Sequence, residues 1–466
     1  MNMGEGMHAH YALAVPADAR ARLAAGWLML GLAALIASGV FSVLLVAART
    51  PYFQSAFPVA DFFRVALVVH VDFSVLVWFL ALGGVLWSVN STPRLTGAGW
   101  AALGLAAAGS ALMAVAPFTD SGVPVMSNYV PVLDGPWFLA GLVVFGAGFL
   151  VLALRSLAAV PAVGVVLDGE AALRFGLNAA AVSAAMTLLA FAWSWLAMPA
   201  GLPARGYYDI LFWGAGHVVQ FTYTLLMLVA WLWLASAGGI GVPVSPRISV
   251  LLFGVGLAAV FVTPVIYLAW DVTSVEHRKL FTWLMQWGGG LAIVPFAAAI
   301  LWGAARGGGH EPAARPLRAA LFASLVLFGA GGAIGFVIHG SNVTIPAHYH
   351  GCIVGVTLAL MGVVYLLLPR LGYREPDRRW ATWQPCLYGF GQLLHVTGLL
   401  WSGGYGVQRK TAGEEQILRS AGEIAGMGVM GLGGLIAVVG GLLFVAIVLR
   451  AMWGGRGRPG SAGGGG

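Results

Sequence analysis

The sequence predicts an all-α, polytopic membrane protein with twelve transmembrane helices, and three observations predict it. Of 466 residues, 60% are hydrophobic and only 9% charged, where a soluble domain carries roughly 25% charged residues. The mean hydropathy is +0.88. Apolar runs of about twenty residues, the length a bilayer demands, recur twelve times. They fall near 24–48, 62–88, 97–116, 136–158, 174–199, 208–237, 248–270, 280–303, 317–338, 346–369, 383–402 and 424–449. Pro, Gly and charge clusters such as "SVNSTPRLTGAG", "SAGGIGVPVSPR" and "ARGGGHEPAARP" punctuate them.

The polar, acid-bearing start reads as a cytoplasmic segment over 1–23, not a cleaved signal peptide. A membrane domain over 24–450 follows, then a disordered Gly-rich tail over 451–466. The two cysteines, Cys352 and Cys386, lie in apolar surroundings, which excludes a disulfide scaffold, a zinc ribbon and a ferredoxin-type cluster. The net charge of +7 comes from arginines scattered at the ends of apolar runs, with no basic stripe. The expected partner is therefore membrane lipid and not nucleic acid.

An even number of spans puts both termini on one side. That side holds sixteen Lys and Arg residues, among them Arg20, Arg22, Arg315, Arg318, Arg370, Arg374, Arg378 and Arg379, against eight on the other. The positive-inside rule makes the richer side cytoplasmic, so the reading is a multi-pass protein of a bacterial inner membrane with both termini inside. Segments two, six and ten then enter from the outer face. His70, His217 and the pair His348 and His350 all fall within their first turns, so four histidines on three helices share a depth in the outer third of the bilayer.

Each histidine has a plain alternative, since a lone membrane histidine can simply hydrogen-bond a neighbouring helix. Ionisable groups at this depth are nonetheless functional candidates by default. His348 and His350 stand two apart, roughly 200° around a helix, so they cannot share one metal ion. They can serve two cofactors on opposite flanks. His70 and His350 can clamp a low-spin haem from both faces, and His348 can bind a high-spin haem on one side only, leaving a position open to a small gas. His217 can hold a second metal across from it. His395 reads as a packing or hydrogen-bonding residue. Arg409 and Lys410 suit haem propionates or lipid headgroups equally, and His8, His10 and His310 read as surface residues.

These residues resemble subunit I of the haem–copper oxidase superfamily, which includes the cytochrome oxidases and the nitric oxide reductases. The resemblance covers nearly the whole chain: twelve segments, a histidine on the second, one early on the sixth and H-x-H opening the tenth. "HVDFSVLVWFLALGG" and "IHGSNVTIPAHYHG" look like the nitric oxide reductases, the latter including His339. "HVTGL" followed by "QRK" is similar to the late-helix motif and paired cations of the oxidases. The resemblance implies an oxidoreductase with two haems, His70 and His350 on the low-spin one and His348 on the high-spin one. It implies His217 as a ligand of a second metal, copper or non-haem iron. It also implies an electron donor, either a cytochrome c or cupredoxin-like subunit or a quinol, and nitric oxide or oxygen as the gaseous substrate.

The sequence departs from that pattern on segment seven. The family's adjacent histidine pair would fall near Pro264–Leu268, where there is none. Glu276 and His277 are the nearest candidates to join His217; otherwise the second metal is absent or unusually held. The family's tyrosine four residues after the segment-six histidine is Phe221 here, and Tyr267 is the phenol that can substitute. The glutamate of nitric oxide reductases is missing too, with Gln220 nearest. Asp72 is the clearest acid inside a segment, so protons are expected from the outer face without pumping. The alternative is a haem-binding paralogue without terminal reductase activity, serving as a sensor, assembly or electron-relay subunit. A transporter is disfavoured by the lack of an internal repeat.

Overall fold

The computed structural model describes residues 9–52, 60–119, 122–307, 311–411 and 415–454. Most of the C-terminal tail, together with His8 and His310, lies outside the described residues. The described residues form a bundle of twelve long helical spans. Helix α1 is Ala19–Arg49, and α2 joins Ala60–Val71, a π-turn Asp72–Val77 and Trp78–Val89. Then come α3, Thr96–Val115; α4, Pro136–Ala158; α5, Gly169–Leu196; and α6, Ala204–Ala237. Helix α7 joins Pro246–Ala258, a 3₁₀ turn Ala259–Val262 and Thr263–Ala269. Helix α8 joins Val275–Trp283, a π-turn Leu284–Gly288 and Gly290–Ala305. The last four are α9, Arg315–Gly335; α10, Thr344–Arg370; α11, Arg378–Gly404; and α12, Ala421–Trp453.

The helix starts follow from local chemistry. Asp18 accepts the amide of Arg20 at 2.9 Å to cap α1, and Asp168 accepts that of Ala171 at 2.8 Å to cap α5. Ser420 and Glu423 form a reciprocal capping box on α12. Such caps satisfy amides that the first helical turn leaves without a partner. The segment before α1 is anchored as well: Tyr11 is fully buried and its hydroxyl donates to the Val244 carbonyl at 2.6 Å.

Eleven spans are long and apolar enough to cross a membrane by composition, among the described residues. The remaining one is α11. Its Gln384 is fully buried, accepts the Tyr365 hydroxyl at 2.9 Å and donates to the Gly440 carbonyl at 3.2 Å. Polar groups satisfied between helices tolerate a bilayer depth that free ones do not.

Burial ranks the helices. In α6 and α10, 89% of the apolar stretch is buried, and in α2, 61%, against 28% in α7 and α8. The three helices that carry His70, His217 and the H-x-H pair are thus the most enclosed. Trp231 of α6 donates to Ser324 of α9 at 2.8 Å, and Ser324 donates onward to the Gly355 carbonyl of α10 at 2.6 Å. Helices α9 and α10 approach backbone to backbone: a Cβ on Gly351 would stand 2.5 Å from the Gly331 Cα. Gly391 and Gly398 of α11 meet α12 in the same way, the small-residue contact on which membrane helices rely when burial alone gives no driving force. Gly351→Leu is expected to force α9 and α10 apart and cost about 2 kcal/mol, read as a lower unfolding temperature in detergent. Wild-type stability in that variant would contradict the close contact.

Candidate haem and metal sites

Two groups of imidazoles emerge at the end of the bundle where α2, α6 and α10 begin. The first joins α1, α2, α10, α11 and α12. His70 sits two residues before the π-turn of α2, and its Nδ1 lies 3.0 Å from Ser38 Oγ and 3.2 Å from the Ser38 carbonyl of α1. His350 of α10 meets the His395 ring edge-on, with centroids 4.8 Å apart. His395 Nδ1 lies 3.0 Å from the Met430 carbonyl of α12. His70 and Arg49 are within electrostatic reach of both His350 and His395. All three histidines are partly accessible. The π-turn beside His70 widens α2 locally, a feature frequent at functional sites.

His348 leaves α10 on the opposite flank. Its Nδ1 lies 2.7 Å from the Gly331 carbonyl of α9. A carbonyl can only accept, so Nδ1 carries the proton and Nε2 keeps its lone pair, the tautomer an iron ligand needs. Gly335, one turn after Gly331, leaves room for the ring: a Cβ there would stand 2.9 Å from His348 Nδ1.

The second group surrounds His217, which is 3% exposed. Its Nδ1 lies 2.7 Å from the Trp213 carbonyl one turn back, and its Nε2 lies 2.8 Å from the Tyr129 hydroxyl. Tyr129 comes from a short antiparallel hairpin between α3 and α4, β1 Val123–Val125 paired with β2 Val132–Asp134. Tyr129 adopts φ 67°, an uncommon conformation for a bulky residue. Three polar ties hold the hairpin down. Asn128 donates through its backbone N at 2.7 Å and Nδ2 at 3.1 Å to Asp209 Oδ1 of α6. Tyr208 donates to Asp134 Oδ1 at 2.9 Å, and Lys410 Nζ donates to the Met126 carbonyl at 2.7 Å. Burial, with Arg409 alongside, lowers the Lys410 ammonium to about 8. Arg409 itself reaches Ser341 Oγ at 3.3 Å.

The segment-seven candidates separate. Glu276 is exposed in the first turn of α8, whereas His277 is fully buried with neither ring nitrogen hydrogen-bonded. His277 packs edge-on against Tyr267 and Phe281, at 4.9 Å from each, and Phe281 lies 5.9 Å from the His217 ring. Over Pro264–Leu268 the buried residues are Ile266 and Tyr267, while Val265 and Leu268 are exposed. The Tyr267 hydroxyl is committed to Ser194 Oγ at 2.7 Å and the Ala190 carbonyl at 2.9 Å. The phenol on His217 is therefore Tyr129, which sequence reasoning missed. Asp72, the buried acid of α2, has no hydrogen-bond partner on either oxygen.

The donor set fits haem. Three imidazoles on the two flanks of α10 include two with Nδ1 placed on a neighbouring helix, and none is tied up at Nε2. It does not fit a second metal held by three histidines: among the described residues no three His, Cys, Asp or Glu side chains converge.

Fold and site define a multi-pass helical membrane protein whose most buried helices present imidazoles at one end of the bundle. The model of the cytochrome c and quinol oxidase polypeptide I family matches residues 22–443, and the chain belongs to that family. Haem binding and oxidoreductase activity belong to the family in general. The chain is 28% identical to an uncharacterized protein of Rickettsia prowazekii (strain Madrid E), over 92% of this chain and 96% of the relative. It is 27% identical to an uncharacterized protein of Aquifex aeolicus (strain VF5), over 75% and 85%.

Asp209→Asn weakens a charge-assisted tie on the hairpin. Backbone amides over 126–130 are expected to exchange about tenfold faster, the equivalent of about 1.4 kcal/mol out of the roughly 1.5–3 kcal/mol range of such bonds. Unchanged protection would mean that the hairpin does not depend on Asp209.

Proposed function

We propose that this chain is a haem-containing terminal reductase, nearer the nitric oxide reductases than the oxidases. When bound, one haem would supply electron transfer and the other would supply the iron at which nitric oxide or oxygen is reduced. His70 and His350 would hold the first and His348 the second. The observation that carries this reading is the placement of His348 and His350 on opposite flanks of α10: one is fixed to α9 through the Gly331 carbonyl, the other faces His395 of α11.

The chain's own residues set the chemistry. Gly331 fixes the His348 tautomer, and Ser38 orients His70. Helices α6 and α10 keep bulk water from the reaction face, which strengthens every electrostatic contact inside. Lys410 and Arg409 bring positive charge to the loops at this end, where propionates would lie. An electron-donor subunit or a quinol is part of the proposal. Protons enter from the outer face of a bacterial inner membrane, with both termini cytoplasmic.

A second reading has its own support. Ile266 and Tyr267 fill the buried positions where the family's histidine pair would fall. A chain built that way suits a haem-binding paralogue that relays electrons or senses a gas without turnover.

Single substitutions separate the assignments. His70→Ala or His350→Ala is expected to remove the low-spin component from the reduced-minus-oxidised spectrum. His348→Ala removes only the high-spin component. Loss of one and the same component in all three variants would contradict the two-flank assignment.

A further inference from the structure

We propose that a groove between α6 and α8, at the histidine end of the bundle, binds the headgroup of an anionic phospholipid whose acyl chains run down the exposed face of α8. The inference is independent of the reductase reading.

The groove has a volume of about 360 Å³ and is lined by Trp213 of α6 and by Val275, Arg278, Lys279, Thr282 and Trp283 of α8. Two cations line it and no carboxylate does. Among the described residues neither cation has an acidic partner. Asp271 accepts from the Thr273 amide and hydroxyl instead, and no ion pair joins Glu276 to Arg278 or Lys279.

The guanidinium is held in place before any ligand arrives. Its carbon stands 4.7 Å over the Trp213 ring, and the Trp213 indole N–H donates to the Arg278 carbonyl at 3.3 Å. Stacking uses the flat face of the guanidinium and leaves its in-plane N–H donors free for the paired oxygens of a phosphate. Lys279 adds a second positive charge one residue on. The Thr282 hydroxyl donates to the Arg278 carbonyl at 3.0 Å, so its oxygen can still accept from a headgroup hydroxyl. A lining without carboxylates gives nothing to an ammonium, which favours a net-negative headgroup over a zwitterionic one.

The surroundings make the phosphate that of a lipid. Only 28% of the apolar stretch is buried in α7 and in α8, the least of all the spans. Below the cations, Trp283, Trp287, Leu291 and Val294 are exposed at a spacing that puts them along one side of α8. Trp287 meets the exposed Phe336 at the end of α9, with ring centroids 5.9 Å apart. Cations at the rim and indoles just below them are the arrangement that a membrane interface selects. The groove also borders the His217 group, since the Trp213 and His217 rings lie 4.7 Å apart.

The test is native mass spectrometry of the purified protein in detergent, titrated with phosphatidylglycerol, phosphatidylethanolamine and phosphatidylcholine of one acyl composition. One retained phosphatidylglycerol is expected, held roughly fivefold or more better than either zwitterionic lipid. The double variant R278Q/K279Q should weaken that retention about twentyfold, roughly fivefold for each cation. T282W keeps both charges but fills the groove, and a loss of the same order is expected. R247Q removes an exposed arginine at the other end of neighbouring α7 and should change nothing. Equal retention of the three lipids, wild-type retention in R278Q/K279Q or in T282W, or an equal loss in R247Q would overturn the proposal. Displacement of the lipid by millimolar inorganic phosphate, or a protein subunit found in the groove in its place, would overturn it as well.

Discussion

The site depends on the contact between α9 and α10. Gly331 and Gly351 let the two backbones touch, and the same Gly331 offers its carbonyl to His348 Nδ1. One residue thus sets both the helix spacing and the tautomer of a candidate iron ligand. A side chain at either glycine would separate the helices by more than a hydrogen bond can span. Once His348 is fixed on the α9 side, the helical period sends His350 toward α11 and α12. In the proposed reading helix α10 is the partition between the two sites, and 89% of its apolar stretch is buried.

The hairpin between α3 and α4 works on the same plan at the neighbouring helix. Val125, Val132 and Leu133 bury it against the helices, and polar ties to α6 and to the loop after α11 fix its position. Those ties converge on one residue, Tyr129, whose uncommon backbone conformation costs about 1 kcal/mol or more. The contacts around it offset that cost. Nearby, Val343 donates to the Val407 carbonyl at 2.9 Å and Arg64 pairs with Glu415 at 2.7 Å. The loops at the histidine end are joined to one another as well as to the helices below them.

Much of this was legible in the sequence, for physical reasons. A bilayer requires long apolar runs, so the helices announce themselves, and the cost of ionisable groups at depth draws attention to His70, His217, His348 and His350. The angular step between residues 348 and 350 predicts opposite flanks, and the ring contacts place them so. Tyr129 left no such signal. It lies in a short loop, 88 residues from its partner, and no periodicity links a hairpin to a helix. Tyr267 reads as the available phenol, but Ser194 and the Ala190 carbonyl lie 73 and 77 residues away in sequence. Glu276 and His277 look like one polar outer loop, yet consecutive residues in a helix point in different directions, so one is buried and the other exposed. His395 reads as a packing residue, and its ring lies against His350.

The central claim is that one helix divides a closed haem site from an open one. The most direct measurement is the haem content per chain of the purified protein, with carbon monoxide titrated into the reduced form. The account predicts two haems per chain, only one of which binds carbon monoxide. Binding to both haems, or to neither, would contradict it.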